Sequence, residues 1–432
     1  MSYLARPAPA PTAAPAEPGR LRVWSVTVLI MFFMLINFAD KSVLGLAAVP
    51  IMRELHLDHA AFGLLASSFY LLFSVASLVV GFVSTRVSSR WILFALAVCW
   101  AAAQVPVLVV AAAPTLFASR ILLGAAEGPA ASMTMHALYT WFPEHRRSLP
   151  TALQVAGGAA AALVAAPVLT WIIDEQGWRA AFLALAVVAA LWAAVWLPVG
   201  GEGPYAAGPS RAAGGTRVPY RVLFGNGTVV GGVAAAFGAY WATALSSAWL
   251  PAYLQSQLHY RPQSAATVLS GIAALGVVLQ LTVVPFTGRL IRRGVSSRWA
   301  RGAVQGGVVA LAGACMALFP HLPAGPLRVT VIAVAFTVGS LAYPLSYLNA
   351  GEVLPPGQRG AALAVSVTFG TLPGIIAPGV SGVVIDHLGY TAAFTIGAAV
   401  MIPAGVIAAL MIRPQRTLER VRAHTITPPE PS

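Results

Sequence analysis

Four ionisable side chains stand inside stretches that are otherwise apolar: Asp40 and Lys41 in the first, Arg120 and Glu127 in the fourth. An ionised group at the middle of a membrane helix costs roughly 2.5–3.5 kcal/mol even on lenient insertion scales, so such groups usually face a protein-lined cavity and mark an ion or substrate path. The two cations can hold an anion. The two acids can take up and release protons, because burial opposes their ionisation while a neighbouring cation favours it. With all four charged the site is neutral. Protonating one acid frees a cation, and protonating both leaves a double positive charge suited to a mono- or dianion. The chemistry expected is proton-coupled carriage of a small organic anion. Fixed ion pairs, or an Arg120 that snorkels to the interface, are the bland alternatives.

Spacing supports a shared site. Arg120 and Glu127 are seven residues apart, hence on one helix face and about 10 Å apart along the axis. Gly124 and Gly128 lie on that face and leave room for a ligand or a neighbouring backbone, and Pro129 predicts a kink. Counted inward from Ile51 and Thr115, Asp40-Lys41 lies about 16 Å deep, Glu127 about 18 Å and Arg120 about 8 Å. Asn37, one turn before Lys41, can add a hydrogen bond. Of the 26 basic residues Lys41 is the single lysine.

The elements that must position these groups are membrane helices. Only 9% of the 432 residues are charged and 58% are hydrophobic, with a mean hydropathy of +0.79. An average soluble domain is about 25% charged. The net charge of +13 comes from arginines scattered among short loops, so it reads as a topology signal and not as a nucleic-acid surface. Cys99 and Cys315 each sit in an apolar run and are expected as small buried hydrophobes. No disulfide framework or Cys-based metal site is expected, and no cofactor beyond the coupling proton.

A span needs about 20 mostly apolar residues. Twelve stretches fit: Val23–Leu46, Ala61–Ser84, Trp91–Ala113, Thr115–Leu138, Ser148–Ile173, Ala180–Val199, Gly227–Tyr253, Ala265–Leu290, Gly302–Phe319, Val329–Val353, Gly360–Ile385 and Thr391–Ile412. The expected organisation is a disordered proline-rich tail (1–20), a six-helix bundle (21–199), a linker (200–224), a second six-helix bundle (225–412) and a tail (413–432). The first span follows Arg20 and Arg22 in the manner of a signal peptide. It continues to Ile51, long for such a segment, and is read as a retained helix. Arginines concentrate in both tails and in the connections after spans 2, 4, 6, 8 and 10, which places both termini in the cytoplasm by the positive-inside rule.

The halves repeat. Ile173-Asp174-x-x-Gly177-Trp178-x-Ala180-Ala181-Phe182 recurs as Ile385-Asp386-x-x-Gly389-Tyr390-x-Ala392-Ala393-Phe394, and Val87-Ser88-Ser89-Arg90-Trp91 recurs as Val295-Ser296-Ser297-Arg298-Trp299. Six helices per half give both copies one orientation, hence parallel repeats about an axis along the membrane normal. Spans 3, 6, 9 and 12 are nearly bare of polar residues; Gln104 stands alone in the third. Elsewhere polar residues form stripes at helical spacing: Ser67, Tyr70, Ser74 and Ser77; Thr151, Gln154 and Gly158; Tyr240, Thr243 and Ser247; Ser340, Tyr343 and Tyr347. Such stripes serve close helix packing or line a cavity, and Tyr and Gln favour the cavity. Substrate contacts are expected from Lys41, Arg120, Asn37, Tyr70, Gln154, Tyr240, Tyr343 and Tyr347.

At Asn37-Phe-Ala-Asp40-Lys41-Ser42-Val43-Leu44, Arg120-Ile-Leu-Leu-Gly124-Ala-Ala-Glu127-Gly-Pro129 and Trp141-Phe142-Pro143-x-x-Arg146-Arg147, the sequence resembles the major facilitator superfamily. Within it, it resembles the anion:cation symporters, which include sugar-acid and phthalate-type carriers, sialin and the vesicular glutamate transporters. The resemblance covers Val23–Ile412 and implies an all-α membrane protein of 12 transmembrane helices in two pseudo-symmetric bundles, working by alternating access in the inner membrane. It implies Asp40 and Glu127 as proton-coupling acids, and Lys41 and Arg120 as groups that hold the anion or govern its entry. It puts the cytoplasmic gate at Arg86, Arg90, Arg147, Glu352 and Arg359. Two departures stand out: Lys41 replaces the more usual Arg and loses its bidentate fork, and Thr85 stands where the loop after span 2 usually has Asp.

The expected partners are a small organic anion and membrane lipid, with the chain a monomer. A drug:proton antiporter or an organic-anion exporter of the same fold is the runner-up, yet a carrier of hydrophobic cations has little use for Lys41 and Arg120. A non-transporting receptor is a further alternative. Enzymatic function is not expected, since no His/Cys/Asp cluster, nucleophile motif or phosphate loop occurs and the eight histidines are dispersed. Aromatic residues near the cavity suit an aromatic acid as well as a sugar acid.

Overall fold

A computed structural model describes residues 19–84, 86–110, 112–143, 146–205, 218–354 and 366–424. The gate residue Arg359, Thr85, residues 1–18 of the proline-rich tail and residues 206–217 of the expected linker lie outside the described residues.

Among these residues ten helices are long and apolar enough to cross a membrane. They are α1 (Arg20–Leu46), α2 (His59–Val83), α3 (Ser89–Val109), α5 (Leu149–Gln176), α6 (Trp178–Val199), α7 (Gly227–Ala248), α8 (Pro262–Arg292), α9 (Arg298–His321), α10 (Pro326–Ala350) and the 46-residue run Ser366–Met411. That run is two crossings, α11 (366–388) and α12 (390–411), which join at Gly389 with φ +80°. The remaining crossing, α4, is built of Ala113–Glu127 and Ala130–Tyr139. Its two pieces meet at Gly128-Pro129, where the proline lacks the N–H that would continue the ladder. The fold is all-α, with twelve crossings.

The repeat read in the sequence has a backbone counterpart. Gly177 (φ 84°, ψ 164°) turns α5 into α6 as Gly389 (φ 80°, ψ 173°) turns α11 into α12. Only glycine holds that conformation without strain. The paired Arg-Trp motifs match too: the guanidinium of Arg90 lies 5.3 Å from the Trp91 ring centre and that of Arg298 lies 5.2 Å from Trp299.

Aromatic residues fasten the nearly bare helices onto the inner ones. Phe33 of α1 meets Trp100 of α3 at 4.2 Å and Trp192 of α6 at 4.6 Å between ring centres. Trp192 also donates from Nε1 to the Leu29 carbonyl at 2.8 Å. In the second half Phe394 of α12 packs on Tyr253 and Phe319 at 5.1 and 4.8 Å. The cysteines depart from expectation: Cys99 is exposed and Cys315 half-buried. An apolar run in a membrane helix turns one face to lipid, so an apolar neighbourhood in sequence does not imply burial.

Both described ends of the chain lie at one end of the bundle, here the near face. At the opposite, far face the halves are pressed together through glycines. A Cβ on Gly45 (α1) would stand 1.7 Å from the Ser247 carbonyl oxygen (α7). One on Gly63 (α2) would stand 2.3 Å from the Pro378 oxygen (α11), and one on Gly382 (α11) 2.2 Å from the His59 oxygen. Ser67 Oγ accepts from Gly379 N at 3.0 Å across the same seam. Toward the near face the halves part around a cavity of about 670 Å³ that reaches Thr228 at the start of α7 and Ala350 at the end of α10.

Candidate functional site

Lys41 lines the deep part of the cavity, whose wall continues past it to Leu46 and Pro251. Asn37 and Lys41 occupy successive turns of α1, and the Lys41 ammonium donates to Asn37 Oδ1 at 2.7 Å. Asn37 Nδ2 donates to Glu127 Oε2 at 3.2 Å, and Lys41 Nζ stands 3.6 Å from that same oxygen. Lysine, asparagine and glutamate thus form one closed triangle between α1 and α4. Glu127 is fully buried, whereas the Lys41 side chain retains 22% exposure, on the cavity side. The ammonium also lies 4.8 Å and 5.3 Å from the Phe38 and Phe73 ring centres, a cation–π setting that needs little water.

Asp40 goes elsewhere. Successive residues on a helix point about 100° apart, and Asp40 is turned into the first bundle while Lys41 faces the cavity. Its Oδ1 accepts from Gln104 Nε2 of α3 at 2.7 Å. Arg120, also buried, donates from Nη1 to the Asp40 backbone oxygen at 3.3 Å and stacks 5.0 Å from the Phe182 ring centre. Arg120 does not line the large cavity. It borders a small space of about 30 Å³ on the far side of Lys41, with Gly45, Tyr70 and Pro378. The expected four-charge site is therefore two layers: Lys41 with Glu127 at the cavity, and Asp40 with Arg120 behind.

Close packing sets this geometry. A Cβ on Gly124 would lie 1.7 Å from the Phe69 carbonyl oxygen, and one on Gly128 2.0 Å from that of Phe73. The room that these glycines leave is taken by the backbone of α2, not by a ligand.

The tyrosines extend the site away from Lys41. Tyr70 meets Tyr240 edge-on at 5.9 Å between ring centres, and Tyr240 meets Tyr343 at 6.3 Å. Tyr343 Oη shares a 3.1 Å hydrogen bond with Thr243, and Tyr347 lines the cavity one turn further along α10. Gln154 is not among the lining residues. It is buried and donates to Thr134 Oγ1 at 3.1 Å, tying α5 to α4. The bonds that the described gate residues make stay within their own halves. Arg147 donates to the Phe142 and Tyr139 carbonyls at 3.0 and 3.2 Å, Arg90 donates to Leu197 O at 2.5 Å, and Arg86 is exposed. Glu352 accepts from Ser297 Oγ at 2.8 Å and pairs with Arg301 at 3.3 Å.

Two residues escaped the sequence reading. Gln104 was legible only as the lone polar residue of a bare helix. His59 was grouped with the dispersed histidines, yet with Asp386 it bridges the halves at the far face, Nδ1 to Oδ1 at 2.7 Å.

Comparison with known proteins agrees with this architecture. The chain is 25% identical to the probable sulfoacetate transporter of Cupriavidus necator, over 90% of this chain and 93% of that protein. It is 23% identical to the hexuronate transporter of Bacillus subtilis, over 90% and 94%. A D-xylose–proton symporter superposes with a TM-score of 0.73 at 16% identity, over 92% of this chain and 99% of that one. A bacterial homologue of the lysosomal transporter Spinster superposes with a TM-score of 0.71 at 15% identity, over 95% and 100%. These two likenesses concern the fold. The model of the Major Facilitator Superfamily, a family of transporters and not of enzymes, matches residues 30–378. The chain is a multi-pass membrane protein and belongs to that superfamily.

Proposed function

We propose that the protein is a secondary transporter that carries a small organic anion together with protons by alternating access. One observation carries this reading: the cavity is lined deep inside by Lys41, whose ammonium is held by Asn37 and Glu127 and is still open to an incoming solute. While Glu127 is ionised it partly neutralises Lys41. A proton on Glu127 removes that competitor, and the ammonium is free to hold an anion. Loss of the proton restores the internal pair and expels the anion. Proton and anion thereby favour each other's binding, and the coupling is reciprocal. Asp40, held by Gln104 and close to Arg120, is the second proton-exchanging group. Arg120, on the far side of Lys41, serves the anion when the far face is open. The relatives named for sulfoacetate and hexuronate transport fit an anionic cargo.

In this reading the near face is cytoplasmic, the membrane is the inner membrane, and a monomer surrounded by lipid suffices. Arg86, Arg90, Arg147, Glu352 and Arg359 belong to the near-face gate, and residues 200–224 link the two bundles. The test uses protein reconstituted in proteoliposomes. Glu127→Gln should abolish proton-driven accumulation of a transported anion yet leave its counterflow intact. Undiminished uphill uptake by that variant would remove Glu127 from the coupling.

A further inference from the structure

Resting on that reading, we infer that the cargo is an aromatic monoanion, an aryl carboxylate or sulfonate, and not a polyhydroxylated sugar acid or a dianion. Three observations on the cavity lead there.

The first is its charge. Among the described residues that line it, Lys41 is the single ionisable group other than the tyrosines. Arg120, the other cation of the site, is buried behind Lys41 and borders a different space. A dianion would carry one charge into the cavity without a counterpart, and unpaired charges in low-dielectric surroundings are costly.

The second is its hydrogen bonding. Most of the serine and threonine hydroxyls on the wall are turned back onto their own helices. Ser42 donates to Ala39 O at 2.9 Å, Thr243 to Ala239 O at 3.1 Å, Ser247 to Ala244 O at 3.1 Å and Ser340 to Thr337 O at 2.7 Å. A sugar acid brings four or more hydroxyls, each costing about 1–3 kcal/mol if dehydrated without a partner. Among the described residues, the donors left to meet them are the Gln280 amide, Ser246 and the hydroxyls of the aromatic wall itself.

The third is the shape of the apolar wall. Tyr70, Tyr240 and Tyr343 form a consecutive series of edge-on contacts that starts beside Lys41, and Phe38 flanks the ammonium. An acid group on Lys41 leaves the rest of the solute against ring edges and faces. Aromatic pairs in such geometry add about 0.5–1.5 kcal/mol beyond simple burial. A flat ring next to one acid group satisfies all three conditions.

The experiment measures binding by thermal shift and uptake into proteoliposomes under an imposed proton gradient. The probes are benzoate, benzenesulfonate, glucuronate, phthalate and sulfoacetate. Benzoate or benzenesulfonate should bind at least tenfold more tightly than glucuronate, phthalate and sulfoacetate. Tyr240→Ala should weaken benzoate at least fivefold, and Tyr240→Phe should leave it within twofold, because the ring and not the hydroxyl is at work. Preference for glucuronate, phthalate or sulfoacetate would overturn the inferred cargo while leaving anion transport standing. Equal loss in both Tyr240 variants would overturn the role given to the ring. Binding of lipophilic cations with none of these anions would overturn the anion-transport reading itself.

Discussion

The carboxylate of Asp386 on α11 caps the first turn of α2 in the opposite half of the protein. It accepts from the backbone amides of His59 and Ala60 at 3.1 and 2.7 Å and lies 2.7 Å from His59 Nδ1. Asp58, the N-cap of the same helix, accepts from Ala61 N at 2.7 Å. The free amides that open a helix are thus shared between a local cap and a cap supplied from across the seam.

Such a cap exists only while the far face is shut, so removing it should favour the open far face. A lost cap costs about 1 kcal/mol, or about a fivefold change in an equilibrium. In a background with Cys99 and Cys315 replaced by Ser, a Ser67→Cys probe reports opening through labelling by an impermeant maleimide. Asp386→Ala should raise labelling from the far side about fivefold. Labelling equal to that of the parent would show that the cap does not bias the states.

The glycines of the far face and those of α4 predict different failures. Gly45 meets Ser247 across the two halves, whereas Gly124 meets Phe69 inside one half. Overpacking costs about 1–3 kcal/mol where the neighbour cannot yield. Gly124→Ala should lower the thermal unfolding temperature of the protein, because the α2–α4 contact persists in every state. Gly45→Ala should leave that temperature nearly unchanged yet stop transport, since the open far face relieves the clash. A common loss of stability in both variants would contradict this division.

Twelve crossings were legible because a membrane helix must be about 20 apolar residues long, and the pseudo-symmetry because Gly177 and Gly389 need one rare conformation. The charged residues were legible for the same energetic reason. Their pairing was not. Asp40 and Lys41 are adjacent in sequence, yet one faces Gln104 and the other the cavity, a choice set by how α1 is rotated against α3 and α4. Gln154 belonged to a promising polar stripe, but which side of a stripe meets a neighbour depends on packing that a single helix does not encode. Asp386 was visible as part of the repeat; its contact with His59 joins residues 327 apart, beyond any local pattern.

Gln104 offers a sharper test of the buried layer. It supplies a 2.7 Å hydrogen bond to Asp40 and lies outside the cavity-lining set. Hydrogen bonds to charged groups contribute about 1.5–3 kcal/mol. If Asp40 exchanges protons during transport, Gln104→Leu should lower proton-driven uptake at least tenfold while anion binding changes less than threefold. A parallel fall in binding would instead mark Gln104 as a packing residue whose loss disturbs the whole site.

Lys41 carries the last prediction, which separates charge from shape. Its ammonium is a compact point charge that fits between Asn37 Oδ1 at 2.7 Å and Glu127 Oε2 at 3.6 Å. Lys41→Gln removes the charge and leaves Glu127 without its cation, so binding of a transported anion should fall at least a hundredfold. Lys41→Arg keeps the charge but presents a planar fork that grips carboxylates with two parallel bonds. The fork should pair more firmly with Glu127 and compete with the cargo, so uptake at neutral pH should fall about tenfold. Combining Lys41→Arg with Glu127→Gln removes that competitor and should restore anion binding, though not uphill accumulation. If binding stays weak in the double variant, the steric fit of the lysine matters more than its pairing with Glu127.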